Sequence, residues 1–163
     1  MLFRSAAEPQ LIVADEPTTA LDVSIQAQII TLLKAICRQR RAAVMLITHD
    51  MGVIAETCDR VAVMYAGRIV EIGPVHALIN HPAHPYTAGL MAAIPDITQD
   101  RERLYQIDGA MPRPGAIPPG CAFNPRCPQV FGRCRSERPE LMNAGATQAA
   151  CWLHDAAHRG GRS

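Results

Sequence analysis

The fold is decided by Leu11-Ile12-Val13-Ala14-Asp15-Glu16-Pro17-Thr18-Thr19-Ala20-Leu21-Asp22, where four apolar residues run into two adjacent acids, a proline, a turn and a third acid. A short apolar run bounded by breakers is the pattern of a buried strand in a parallel sheet. Ligands of such sheets bind beyond the carboxyl ends of the strands, which is where Asp15 and Glu16 fall. Two carboxylates there suit a metal ion and a water molecule, so this is the first candidate for chemistry.

Downstream, Asp22 is placed to cap a helix. Ile25, Ile29, Leu32, Leu33 and Ile36 recur at helical spacing, so an amphipathic helix is expected to about Arg40. Its late cations, Lys34, Arg38, Arg40 and Arg41, complement the C-terminal end of the helix dipole. A second apolar run, Ala43 to Thr48, ends at His49-Asp50. Strand, helix, strand in this order is a crossover unit that puts both strand ends on one edge, with His49 on the rim of Asp15 and Glu16. Residues 50–58 read as a short helix, Arg60–Ala66 and Arg68–Ile72 as a hairpin about Gly67, and Gly73-Pro74 as the opening of a helix to about Ile79. From His81 onward the character changes, with ten of the thirteen prolines and four of the six cysteines. One more helix, Tyr86 to Ile94, is expected there, and irregular chain beyond it. A boundary falls near residue 80, between an α/β piece (1–80) and a loop-rich appendage (81–163).

The 163 residues suffice for one domain with an appendage, and sixteen basic against fifteen acidic side chains give a net charge of +1. No global field therefore points to nucleic acid or an anionic membrane. The longest apolar run, Ala42 to Ile47, is far below the roughly 20 residues of a membrane span. A soluble, intracellular chain is expected, in which cysteines serve metals or remain free thiols.

Asp-Glu-Pro, Ala-Leu-Asp and Thr-His-Asp in this order resemble the Walker B strand, D-loop and switch histidine of the ABC-transporter ATPases. Tyr65-Ala66-Gly67-Arg68-Ile69-Val70-Glu71 continues the resemblance, which covers residues 8 to about 80. It implies a partial P-loop NTPase sheet with flanking helices and a β-hairpin. It also implies ATP and Mg2+ as ligands: Asp15 on the Mg2+, Glu16 as general base on the attacking water and His49 on the γ-phosphate. Asp22 would act across a head-to-tail dimer with a second ATPase subunit. Phosphoryl transfer needs this set, because its loose, charged transition state demands metal neutralisation, an oriented water and a donor near the γ-phosphate.

His81-Pro82-Ala83-His84-Pro85-Tyr86-Thr87, with Pro119-Gly120-Cys121, Arg126-Cys127-Pro128 and Ala150-Cys151-Trp152, resembles the C-terminal extension of the oligopeptide/dipeptide importer ATPases. That resemblance implies two transmembrane permease subunits, an external peptide-binding protein and a peripheral position on the cytoplasmic face of the membrane. Cargo among dipeptides, oligopeptides, nickel and other small solutes is not encoded here. His81 and His84 read as turn or packing residues. Cys121, Cys127, Cys134 and Cys151, with five, six and sixteen residues between them, lack the Cys-x-x-Cys knuckle. Their spacing leaves an iron–sulfur cluster, zinc and free thiols open. Some members of the family carry a 4Fe–4S cluster at matching cysteines. Cys37 and Cys58 read as small buried side chains.

A P-loop needs Gly-x-x-x-x-Gly-Lys-Ser/Thr, yet the first glycine is Gly52 and the sole lysine, Lys34, follows Leu33. The ABC signature and glutamine loop are likewise missing, and residues 5–10 resemble the end of the helix that follows the signature. The chain thus reads as the C-terminal part of a longer ATPase, whether truncated frame or split subunit, inactive alone and prone to associate through an unpaired sheet edge. Competing readings are a stand-alone iron–sulfur or zinc module and, from Arg126, Arg133, Arg135 and Arg138, a nucleic-acid binder. Sparse aromatics disfavour the latter, and no nucleic-acid partner is expected.

Overall fold

The computed structural model describes residues 9–19, 21–94 and 106–156. It is a mixed α/β structure of two compact units, Met1–Cys58 and Asp59–Ser163. In the first unit, β1 (Leu11–Asp15) and β2 (Ala43–Ile47) pair in parallel, joined by α1 (Val23–Arg40) and followed by α2 (Met51–Thr57). The register sets Leu11 beside Ala43, Val13 beside Met45 and Asp15 beside Ile47. α1 starts where Asp22 accepts the Ile25 N–H, and ends where Arg41 turns left-handed (φ 51°). Its buried line runs through Ile30 and Leu33, while Ile25 and Leu32 of the expected stripe are exposed. Lys34 does more than solvate a face: its Nζ donates to the Glu56 carbonyl in α2 at 2.7 Å. Cys37 and Cys58 are half-buried rather than buried.

One face of the β1–β2 pair is open. Leu11, Val13, Met45 and Ile47, all on that face by register, are exposed. Parallel strands are ordinarily covered on both faces. Among the described residues no helix is long and apolar enough to cross a membrane.

The second unit is built on a four-stranded antiparallel sheet in the order β3 (Arg60–Tyr65), β4 (Arg68–Pro74), β6 (Thr147–Ala149), β5 (Met142–Ala144). Ala66 and Gly67 both have positive φ, the geometry a tight two-residue hairpin needs. α3 (Val75–Asn80) follows, then α4 (Pro85–Ala92), with Pro85 in its first turn and the His84 ring accepting the Tyr86 N–H. Tyr65, Leu78 and Phe123 are almost fully buried and, with Val63 and Val70, form its core. Tyr65, Tyr86 and Phe123 meet at tilted or edge-on ring angles, centroids 4.7–5.5 Å apart.

The compact units divide after Cys58, not near residue 80. The reason is that β6 pairs with β4 through Glu71–Ala149 and Ile72–Gln148, joining the late chain to the hairpin. Glu71 completes the join. Its fully buried carboxylate accepts the Ala83 and His84 N–H groups, both at 2.9 Å, and the Thr147 hydroxyl at 3.0 Å. From residue 106 to 131 the chain is turns and irregular segments, with the 3-10 turn Asn124–Arg126 as its one helical piece. Arg126 braces this stretch, donating to the carbonyls of Ile107 and Asp108 and to the Tyr65 hydroxyl.

Two outcomes follow for stability. Glu71→Ala orphans two buried donors and one half-buried one, and a loss of about 3 kcal/mol or more is expected in denaturant melts. Burial, with a smaller contribution from His154, holds His84 neutral, down to about 4 from its ordinary 6.5. Between those values the unfolded chain binds a proton that the folded chain does not, so stability falls as pH drops through this window, by roughly 3 kcal/mol. His84→Asn, which keeps a side-chain cap for α4, should flatten that slope in melts from pH 7.5 to 4.5.

Candidate active site

Asp15 ends β1 and is exposed. The chain then turns sharply: Glu16 takes φ 42°, rare for a residue with a side chain, while its N–H still donates to the Ile47 carbonyl at 2.8 Å. Its carboxylate is gripped on both oxygens. Thr19 Oγ1 donates to Oε2 at 2.8 Å, and His49 Nδ1 lies 3.1 Å from Oε1. The Thr19 bond, then the His49 contact, holds the Glu16 carboxyl below the usual carboxylate range. Asp22 stands at the start of α1 with its Oδ1 shared by the Ile25 N–H and the Ser24 hydroxyl, which depresses its pKa in the same way.

His49 itself sits between two anchors. Asp50 caps α2 through Oδ1, accepting from Gly52 and Val53, and its own N–H donates to Thr48 Oγ1. Asp50 Oδ2 accepts the Gln26 side-chain amide at 2.7 Å, the largest cause of a lowered Asp50 pKa. Of the four expected acids and bases, then, Glu16 and His49 meet directly, Asp15 adjoins Glu16 in sequence, and Asp22 is occupied as a cap. Thr19, Gln26 and Asp50 escaped the sequence reading. The pattern Asp50-Met-Gly-Val-Ile was a legible capping signal; for Gln26 there was none.

In the second unit, Cys121, Cys127, Cys134 and Cys151 line a single cavity with His84 and Phe123. Burial foremost raises the thiol pKa of Cys121 and Cys127 and pushes that of Cys151 up to about 12, with the neighbouring thiols adding to the effect. Among the described residues no three His, Cys, Asp or Glu side chains stand in a metal-holding arrangement. As they stand, the four thiols are therefore not arranged to hold a 4Fe–4S cluster. Of the two histidines, His81 is exposed and His84 is packed against Phe123. Arg133, one of the candidate nucleic-acid contacts, instead stacks on Trp152 at 3.5 Å and pairs with Glu137 and Asp155.

Residues 70–134 match the family model of the oligopeptide/dipeptide transporter, C-terminal region. The chain is 49% identical over 147 residues to the dipeptide transport ATP-binding protein DppD of Escherichia coli (strain K12), which covers 90% of this chain and 45% of that protein. It is 45% identical over 152 residues to the oligopeptide transport ATP-binding protein AppD of Bacillus subtilis (strain 168), covering 92% and 46%. It is 50% identical over 149 residues to a probable peptide ABC transporter ATP-binding protein, y4tR, of Sinorhizobium fredii, covering 90% and 44%. Residues 70–134 thus fall in the family of oligopeptide/dipeptide transporter C-terminal regions, and nearly the whole chain is similar to one stretch of peptide-transport ATP-binding proteins. It spans about half the length of the curated relatives it matches.

The cavity depends on Gly120, whose φ of 72° suits glycine and whose missing Cβ would collide with the Cys134 carbonyl. Gly120→Ala is expected to open the cavity, so that a thiol reagent at pH 8 labels Cys134 and Cys151 at least tenfold faster than in the parent chain. Unchanged labelling would mean the turn is dispensable.

Proposed function

We propose that the chain carries the water-activating side of an ATP-hydrolysing site in the ATP-binding subunit of an ABC importer for di- or oligopeptides. The single observation behind this is the Glu16 carboxylate, held between Thr19 and His49 beside Asp15 at the carboxyl ends of paired parallel strands. Mg2+ supplies charge neutralisation at the phosphates when bound, and Asp15, an exposed carboxylate at a strand end, is the residue to hold it. Glu16, kept ionised by its two partners, accepts a proton from the attacking water. His49 uses Nδ1 toward Glu16, leaving Nε2 for the γ-phosphate. Asp22 serves across the interface with a second ATPase subunit through the position of its turn, since its carboxylate is spent on capping.

In this reading residues 1–80 belong to a nucleotide-binding domain and residues 81–163 to the importer extension. The parallel β1–β2 pair is part of a P-loop NTPase sheet, and the open apolar face is where more of that domain packs. Two permease subunits, an external peptide-binding protein and a peripheral place at the cytoplasmic side of the membrane complete the assembly. The residues given contain no Gly-x-x-x-x-Gly-Lys phosphate cradle. The chain by itself is therefore expected to show no micromolar ATP binding by calorimetry. Co-expressed with the N-terminal half of a dipeptide-transport relative, it should restore ATP hydrolysis, and Glu16→Gln should lower kcat by about 10²-fold or more. A fully active Glu16→Gln pair would sink the assignment of the base.

A second reading has its own observation: four thiols converging on one cavity suggest a site for zinc or a 4Fe–4S cluster once the side chains rotate inward. Anaerobically purified chain would then hold metal in stoichiometric amount, lost in the Cys127→Ser, Cys134→Ser double variant. Metal-free protein with four titratable thiols in the cavity would leave them as packing residues.

A further inference from the structure

Asp50 has more hydrogen bonding than its cap requires. Capping of α2 uses Oδ1 alone, for the Gly52 and Val53 N–H groups. Oδ2 is taken by the side-chain amide of Gln26, at 2.7 Å and half-buried, across twenty-four residues of sequence. Gln26 lies one helical turn into α1, and its backbone N–H donates to the carbonyl of Asp22. His49 is itself largely solvent-exposed, but its neighbours are fixed on both sides, Thr48 by the Asp50 N–H and Asp50 by Gln26 and α2. A hydrogen bond to an ionised carboxylate is shorter and about twice as strong as a neutral one, which makes this link rigid.

We propose that Gln26 is a positioning residue that ties the His49 loop to the first turn of α1, so that Asp22 and His49 move as one body. The placement of His49 against Glu16 is then set from the same helix end that presents Asp22. A displacement of Asp22 by a partner subunit carries His49 with it. The value of that coupling for catalysis rests on the phosphoryl-transfer reading; the mechanical tie does not.

The test is nuclear spin relaxation on the full chain, with no nucleotide present. Gln26→Met keeps the length and helix preference of the side chain but removes the donor. It should lower the backbone order parameter of His49 from about 0.85 to below about 0.6 and weaken the cross-peaks between its ring and Glu16. Gln28→Ala, at an exposed position on the same helix, should change neither. Gln26→Lys, which returns a donor to Asp50 Oδ2, should restore both, an outcome that loss of packing alone does not give. An unchanged His49 in Gln26→Met, equal loosening in Gln28→Ala, or no rescue by lysine overturns the proposal. A loosened His49 together with failure of ATP hydrolysis in the co-expression assay would instead sink the phosphoryl-transfer reading and leave the tie standing.

Discussion

The parallel register of β1 and β2 is the constraint on which the candidate site depends. Because Asp15 pairs with Ile47, and the Glu16 N–H closes onto the Ile47 carbonyl, both strands end at one level. Side chains alternate along strands, so a slip of one residue would send Asp15 to the opposite face and move Glu16 away from His49. The price of this closure is the left-handed backbone at Glu16, a conformation that costs a residue with a side chain on the order of 1 kcal/mol and that tends to occur where geometry serves function. Thr19 then works at short range, its hydroxyl holding the carboxylate that the turn has thrown outward.

A different kind of constraint orders the second unit. Apolar packing there centres on five buried side chains, Tyr65 and Phe123 among them, with partly buried neighbours such as Tyr86 and Leu90 against them. The unit also relies on a buried carboxylate whose two oxygens collect three donors from two remote segments. A polar group taken out of water is tolerable only when so satisfied, and a fully paired one fixes its surroundings sharply. Glu71 in this way anchors the backbone of His84, whose ring both caps α4 and lines the cysteine cavity. Hairpin, extension and cavity are thereby one cooperative structure, which is why the division into units precedes the hairpin rather than following it.

These contrasts mark what was legible in the sequence. Periodicity and punctuation located β1, α1, β2, the hairpin and α4 to within a few residues, because such signals are local. The cap at Asp22 and the common rim of Glu16 and His49 also followed, since a crossover fixes which strand ends share an edge; their direct contact did not. The short strands β5 and β6 did not, because three residues each are too few for a period of two to stand out. Their pairing depends on Glu71 and Thr147, separated by seventy-six residues. No window of sequence reveals that Gln26 faces Asp50 or that four cysteines without knuckle spacing share a cavity. Such contacts are properties of the tertiary fold. The exposure of Ile25 and Leu32 has the same origin: α1 is packed on one side only, so its stripe is narrower than the sequence allows.

That one-sided packing bears on the chemistry. A carboxylate acts as a strong base, and a histidine as an effective donor, when water is excluded and the local dielectric is low. Here the Glu16 and His49 side chains are 46% and 80% exposed, with their mutual geometry already set. The arrangement is thus preorganised but unsealed. On the same unit an apolar sheet face stands open, and the relatives that match nearly all of this chain are about twice its length. In the proposed function these are one fact seen three times. The polypeptide that covers the open face would also supply the phosphate cradle and, with a partner subunit at the Asp22 turn, close the site against water. In that reading the chain's own contribution would be the fixed placement of Glu16 against His49, with Asp15 beside Glu16, at the carboxyl ends of β1 and β2.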